Sequence, residues 1–491
     1  VVIAGAAMGI ELAVAGRYGF TRDELYFIAS SHHLSYGFVD QPALAPLAAR
    51  LSQALFGTSI EALRILPAFC LAVIVVLTAA ISRQFGAGRT GQLLAALAAA
   101  TSGEYLAAAH VLTTTILDYT FWAITLYFVT RLLVSHDGRW WVPVGLSVGV
   151  GLDAKWNIGF LVVGLFAGLA VTPARRLMAT SWFLIGVAAA VVLAAPDVVW
   201  QAVHGWPNLT VFSALQGSAG HNRAVFWPLQ IPSTGIALVP LWVAGLVWCL
   251  RGEAGRQLRP LGWAAVFVLL AVFAAGGKPY YPGGIFVVLF AAGSVPLEAW
   301  LVQVRERKQG QVQAAPRRRR RLGWVAAAMV ASGALLLPVA VPVLPASGFR
   351  ARAIVTLDYP ADDVNWAGLI TLVGRQYRAL PAPQREVTAL LADAYGQAAA
   401  IDYFGPAAGL PKAYSGNNSY WLWGPPPSTD RSVLAIGVPA PLLRREFMSV
   451  RLVGLLAHSE IDNAGPPVPI EMATGMRSDW SHVWAAFRDY G

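Results

Sequence analysis

Apolar stretches of near-membrane length follow one another along the first two thirds of this chain, separated by short polar loops. Leu71–Ile81, Ile158–Val171, Phe183–Ala195 and Ile236–Leu250 are the clearest. A helix needs about 20 mostly apolar residues to cross a bilayer, and nearly every run reaches that once its flanks are counted. The pattern predicts an all-α polytopic membrane bundle of about eleven spans. They fall near residues 1–20, 65–82, 91–109, 112–131, 141–154, 156–172, 178–196, 227–250, 260–276, 283–301 and 322–344. The runs are too many and too long for a signal peptide. The first run starts at residue 1 without a Met, so further N-terminal residues are expected to precede it.

Beyond about residue 346 the pattern changes. Charge and turn residues appear and no further span is predicted. "REVTALLADAYGQAAAIDYFG" joins a strand-like start to a helical period, while "SVLAIGV" and "SVRLVGLL" read as buried strands. Two domains are expected: a transmembrane domain over 1–344 and a small α/β domain over 345–491.

Composition strengthens the membrane reading. Of 491 residues, 56% are hydrophobic and 13% charged, against about a quarter charged in soluble proteins. The net charge of +10 does not point to nucleic acid, because the basic residues cluster in loops between spans. Alternate loops carry them: Arg83 and Arg89; Arg131 and Arg139; Arg175 and Arg176; Arg251, Arg256 and Arg259; then Arg305 to Arg321. The positive-inside rule assigns these loops to the cytoplasm, with the "RRRRR" run at Arg317–Arg321 anchoring on anionic lipid. The opposite loops and the C-terminal domain are then extracytoplasmic. Cys70 and Cys249 lie inside apolar runs and read as small core residues.

The candidate chemistry falls on that outer side. "TRDELYFIASSHHLSYGFVDQPAL" (Thr21–Leu44) sets Asp23, Glu24 and Asp40 beside the first span. A carboxylate in a wet cavity can act as general base toward a hydroxyl. The rival for Asp23 is a helix cap, since "TRDE" is also a capping sequence. Pro42 and Pro46 resist continuation of a preceding helix, which predicts an interfacial helix in this loop. Asp118 opens the fourth span, where an acid entering an apolar run is either functional or a cap. "GLDAKWN" places Lys155 at a break between spans, positioned to meet a phosphate or simply to snorkel. Asp197–Trp227 reads as a long outer loop carrying His204, His221 and Arg223, and "GGKPYYPGG" (Gly276–Gly284) adds Lys278, Tyr280 and Tyr281. Acids suit activation of a hydroxyl, and cations suit a leaving phosphate.

This order of features runs "DE" after the first span, acid–x–Pro, an Asp opening the fourth span, "GL…K", "P…W…H" and "K-x-Y-Y". It resembles bacterial GT-C-fold glycosyltransferases of the branch holding protein O-mannosyltransferases and lipid A aminoarabinose transferases. The likeness covers roughly residues 20–300. "YSGNNSYWLWGPPP" (Tyr414–Pro427) resembles the actinobacterial members. The resemblance implies a sugar donor on a polyprenyl phosphate at the outer leaflet of a bacterial plasma membrane. The acceptor would be a glycan, lipid or protein hydroxyl, glycosylated with inversion. Asp23 matches the acid that deprotonates the acceptor, and Asp118 a second acid needed for activity. Lys155, Arg223 and Tyr280 or Tyr281 match donor-phosphate ligands. Asp40 and His221 match positions that hold a divalent ion in some relatives; one carboxylate and one imidazole are an incomplete set, so no obligatory metal is expected. Where the family has acid–Lys/His–Pro–Pro, this chain reads Asp40-Gln41-Pro42-Ala43, and Lys278 is expected to replace the lost charge. The rival class is a transporter or flippase of lipid-linked sugars. Such proteins often show internal repeats and midplane polar groups, and the sequence shows no repeat.

Overall fold

The computed structural model describes residues 1–253, 255–306, 314–343, 366–456 and 467–490, without the side chains of 302–306 and 314–319. The chain divides into two compact units: Val1–Gly16, Glu61–Val199 and Gln216–Val343 form one, and Arg17–Ile60, Trp200–Leu215 and Leu344–Gly491 the other. The expected domain boundary at 344/345 lies beside residues outside the description, as does part of the Arg305–Arg321 run.

The first unit is a bundle of apolar helices. Among the described residues, six helices are long and apolar enough to cross a membrane: Ile60–Gln84, Thr114–Ser135, Ser181–Val203, Arg256–Ala274, Gly283–Leu301 and Arg320–Ala340. A bent pair, Pro207–Thr234 with Ile236–Arg251, raises this to seven if it counts as one span. The protein is therefore a multi-pass membrane protein. Other expected spans are shorter or broken. Val2–Ala13 and Ile158–Ala170 are short apolar helices. The run at 91–109 is interrupted at Ser102, between Arg89–Thr101 and Gly103–Ala109, a Ser–Gly pair being a common kink site. Instead of one helix over 227–250, the chain turns by 92° between its two apolar halves. Gly235 sits at that turn with φ +112°, a conformation costly to any residue with a Cβ.

The stretch Asp197–Trp227, expected as a loop, is largely helical. The helix Ser181–Val203 continues past Pro196, and Pro207–Leu215 and Ala219–Thr234 follow. Membrane helices tolerate an internal proline where other groups satisfy the freed carbonyl.

Buried charge also marks the bundle. Glu11, inside the first apolar helix, lies 3.3 Å from His110 Nδ1, while Arg64 Nη1 approaches His110 Nε2 at 3.1 Å and donates to the Ala15 carbonyl at 2.7 Å. All three side chains are buried. Burial without partners would be prohibitive in hydrocarbon, so the triad pins Val2–Ala13 to two neighbouring segments. Glu11 was legible as a lone acid in an apolar run, and the sequence reading passed over it.

The second unit is built on a five-stranded sheet of β1 (Thr388–Ala392), β2 (Ala413–Ser415), β3 (Ser432–Ile436), β4 (Phe447–Leu456) and β5 (Val468–Met476), ordered β2-β1-β3-β5-β4. β1 pairs parallel with β2 and β3, β5 antiparallel with β3 and β4. β1 and β3 are buried at every position, as expected of parallel strands covered on both faces. β4, read from "SVRLVGLL" as buried, is an edge strand with Met448, Leu452 and Leu455 exposed.

The same unit holds the loop after the first helix. The helix Arg22–Ser31 begins with a capping box in which the Thr21 side chain accepts from the Glu24 amide and the Glu24 carboxylate accepts from the Thr21 amide. Gly37 and Pro42 form an isolated bridge, and the helix Leu44–Phe56 follows. Pro46 lies in its first turn, where a missing N–H costs nothing. Ala45, Ala48, Ala49 and Ser52 are buried, whereas Leu47, Leu51, Leu55 and Phe56 are at least half exposed. The outward face is therefore the greasy one.

Candidate active site

In the bundle unit, Asp118 is fully buried in the first third of Thr114–Ser135. It is not the cap, a role taken by Thr113, whose side chain accepts from the Ile116 amide at 3.3 Å. Its Oδ1 accepts from Trp122 Nε1 at 2.9 Å and its Oδ2 from Asn157 Nδ2 at 2.7 Å. Trp122 is one helical turn on, the i,i+4 neighbour. Lys155 follows the C-terminus of the helix Trp141–Ala154 in extended conformation. Its Nζ donates to Thr115 Oγ1 at 3.0 Å and sits over the rings of Tyr281 (4.9 Å) and Tyr280 (5.4 Å). The ammonium is also an electrostatic neighbour of Asp118.

The segment 274–283 is held through its backbone. Arg223 donates to the Ala274 carbonyl at 2.9 Å, Asn222 to Gly276 at 2.9 Å, Gln230 to Pro279 at 2.8 Å, Asn157 to Tyr281 at 2.8 Å and Tyr105 to Gly283 at 2.9 Å. Tyr119 donates to the Tyr280 carbonyl and also lies 2.6 Å from Glu104. The glycines leave this loop many conformations, and this set of donors holds it in one. Gly283 is required by packing: a Cβ there would meet Glu104 and the Tyr119 hydroxyl at hard-contact distance. The result is a fixed turn presenting Tyr280, Tyr281 and Lys278 beside Lys155, with Lys278 Nζ 5.8 Å from the Tyr280 ring.

Arg223 and His221 are exposed on the helix Ala219–Thr234. Asp197 is buried and accepts from Trp156 at 2.7 Å. His204, in the second unit, is exposed, with its ring stacked on Trp200 at 4.1 Å.

The second unit holds the other acids. Glu24 is committed to the capping box, so its carboxylate is structural. Asp23 stands one position earlier and its side chain is 41% exposed. Tyr395 donates to its Oδ1 at 2.7 Å, and Arg22 Nε lies 4.0 Å from the same oxygen. Asp40 accepts from Tyr26 at 3.0 Å on Oδ1 and from Asn418 at 3.0 Å on Oδ2. Among the described residues no three His, Cys, Asp or Glu side chains converge to hold a metal ion. Asp40 and His221 thus gain no third ligand, and both oxygens of Asp40 already serve protein donors.

Burial pushes Asp40 up to about 7, against the hydrogen bond from Tyr26, with the charge of Asp23 adding to the rise. An unfolded Asp titrates near about 3.9. Between about pH 4 and 7 the unfolded chain has released a proton that the folded chain keeps, so stability falls as pH rises through that window. The thermal midpoint of the purified wild type should drop more between pH 4.5 and 7.5 than that of Asp40→Asn. Parallel curves would count against this environment for Asp40.

The sequence reading missed Asn157, Trp122, Tyr119, Gln230, Tyr26, Tyr395 and Asn418. Trp122 and Asn157 were within reach, one turn from Asp118 and two residues from Lys155. Tyr395 lies 372 residues from Asp23, and no local pattern announces such a pair.

With this geometry in hand, the fold can be matched to known structures. ArnT from Cupriavidus metallidurans in the apo state superposes with TM-score 0.58 at 13% identity, covering 96% of both chains. The same protein bound to undecaprenyl phosphate gives 0.55 at 14% identity over 96% of both. The Archaeoglobus fulgidus oligosaccharyltransferase gives 0.51 at 14%, covering 81% of this chain and 63% of that one. The chain is thus a membrane protein of the GT-C glycosyltransferase fold, the class its sequence resembles. Within that class, residues 40–200 match the dolichyl-phosphate-mannose-protein mannosyltransferase family model. Over 183 residues the chain is 32% identical to the polyprenol-phosphate-mannose-dependent alpha-(1-2)-phosphatidylinositol pentamannoside mannosyltransferase of Mycolicibacterium smegmatis. That match covers 35% of this chain and 42% of the relative, so it spans less than half of the relative's length.

Proposed function

We propose that this protein is a polyprenyl-phosphate-sugar-dependent glycosyltransferase that transfers a hexose, of the mannose class, to a hydroxyl of a cell-envelope glycan or glycolipid. The observation that carries this reading is Lys155, fixed over Tyr280 and Tyr281 beside the pinned turn. An ammonium presented by a braced loop suits a phosphate that gains negative charge as it leaves. The names of the matched family and the mycobacterial relative support the choice of sugar and donor.

In this reading Asp23 takes the proton of the acceptor hydroxyl. The acceptor oxygen forms a bond to the anomeric carbon as the carbon–oxygen bond to phosphate breaks, inverting that centre. The electron pair leaves with polyprenyl phosphate, whose charge is met by Lys155, with Lys278 and Arg223 as further cations. Asp118 orients this cationic end through Asn157. No step in this reading uses a metal. The bundle has about eleven spans when the short and broken helices are counted as crossings. We place the site residues and the C-terminal domain on the extracytoplasmic side, a reading that the charge asymmetry of the loops supports. The helix Leu44–Phe56 lies on the membrane surface through Leu47, Leu51 and Leu55.

The test is a transfer assay with purified protein in lipid, polyprenyl-phosphate-mannose and a phosphatidylinositol mannoside acceptor. Equal yields of free polyprenyl phosphate and mannosylated acceptor are expected. Movement of intact donor across the bilayer without cleavage would replace this reading with the transporter.

A further inference from the structure

Two stretches distant in sequence meet at the acids of the second unit. Tyr395 opens the helix Tyr395–Phe404, which follows β1; Asn417, Asn418 and Ser419 lie just after β2. The Tyr395 hydroxyl donates to Asp23, and its backbone amide donates to Asn417 Oδ1 at 3.1 Å. Its ring packs on Tyr26 at 4.6 Å between centroids. Tyr26 in turn donates to Asp40 and accepts from the Ser419 amide at 3.1 Å. Asn418 supplies the second donor to Asp40 from φ +48° and ψ −135°, a positive-φ backbone outside the αL well and uncommon for a residue with a Cβ. Ser419 Oγ accepts from the Val39 amide at 3.0 Å, fixing the chain next to Asp40.

We propose that Tyr395 is a positioning residue for Asp23, so that the C-terminal α/β segment is a working part of the transfer site. This deepens the reading of Asp23 as the base and rests on it. Among the described residues, the contacts to this carboxylate fall on Oδ1. The Tyr395 hydrogen bond therefore orients the group and leaves Oδ2 to receive the acceptor proton. Among the described residues, Arg22, Asp40 and Tyr395 interact with it electrostatically or by hydrogen bond. Burial and then the Asp23 charge hold the Tyr395 phenol well above its usual range, so it stays a donor throughout the working pH. Asn418 and Tyr26 perform the matching service for Asp40, and the two tyrosine rings brace each other.

The test is Tyr395→Phe in the transfer assay with the full-length protein, beside Asp23→Asn and the exposed Arg444→Ala. The expected result is a fall in kcat of about ten- to a hundredfold with donor KM unchanged, the size of effect seen when an outer partner that orients a metal ligand is lost. The acid limb of the rate profile should move to higher pH, because the ionised carboxylate loses a donor. Arg444→Ala should match the wild type. Wild-type kcat and an unmoved profile in Tyr395→Phe, with Asp23→Asn inactive, overturn the proposal. Full activity in Asp23→Asn instead overturns the base assignment itself. If Tyr395→Phe lowers the thermal midpoint, 3-fluorotyrosine at 395 decides: it keeps the ring and strengthens the donor, so the acid limb should move to lower pH. An unmoved limb there also overturns the proposal.

Discussion

Asp23→Asn lowers the rate of sugar transfer by about a thousandfold or more, within the range for loss of a general base, and leaves donor binding intact. The substitution is nearly isosteric and keeps an oxygen for Tyr395, but an amide cannot take the acceptor's proton. A structural role would give a different result. Asp23 lies in the first turn of Arg22–Ser31, where a negative charge stabilises a helix by only about 0.3–1 kcal/mol. The capping sequence offered a structural reading for this residue, yet the cap is made by Thr21 and Glu24. A thousandfold rate loss corresponds to about 4 kcal/mol, well beyond what the helix dipole supplies. The measurement is release of polyprenyl phosphate at saturating donor and acceptor, with the thermal midpoint recorded alongside. A rate within tenfold of wild type would remove Asp23 from the chemistry and turn attention to Asp40, the acid held by Tyr26 and Asn418.

The contrast between Thr21–Glu24 and Asp23 shows where sequence reading succeeds. A capping box is local, four residues long, and states its own hydrogen bonds. Strand β1 and its following helix were legible for the same reason, since the change from continuous burial to helical period occurs within one stretch. The break at Lys155 was also readable, because a charged residue between two apolar runs marks a chain end in a membrane. What failed was non-local or depended on the solvent. The span expected to end near residue 196 continues as helix to Val203. The run 227–250 looked continuous because apolarity is silent about direction, and only Gly235 hinted at the turn. β4 looked buried by composition, although its exposure depends on its place at the sheet edge. The donors on Asp40 and Asp23 come from Asn418 and Tyr395, whose spacing from those acids follows from tertiary packing alone.

Lys155→Ala is expected to reduce kcat/KM for the donor by about a hundred- to a thousandfold, the cost typical of removing one preorganised group that stabilises transition-state charge. If Lys155 merely snorkelled to an interface, alanine would change the rate by no more than a few-fold, since such a side chain is held by water and lipid. The geometry favours the larger effect. Its Nζ is held by Thr115 and two aromatic faces, and those rings belong to a turn braced by Asn157, Gln230 and Tyr119. An ammonium held this way reorganises little when a phosphate arrives. Lys155→Arg should recover only part of the loss, because a planar fork on a different stem cannot occupy the place of a compact point charge. Removing the lysine also takes a cation from the neighbourhood of buried Asp118, which can destabilise the fold by itself. Lys155→Met, which keeps the bulk on the tyrosine rings, together with thermal midpoints for all three variants, separates that cost from the loss of donor binding. Binding of polyprenyl phosphate alone gives the decisive reading. Weakened binding in Lys155→Met at an unchanged midpoint identifies the phosphate ligand, whereas wild-type binding would assign that role to Lys278 or Arg223.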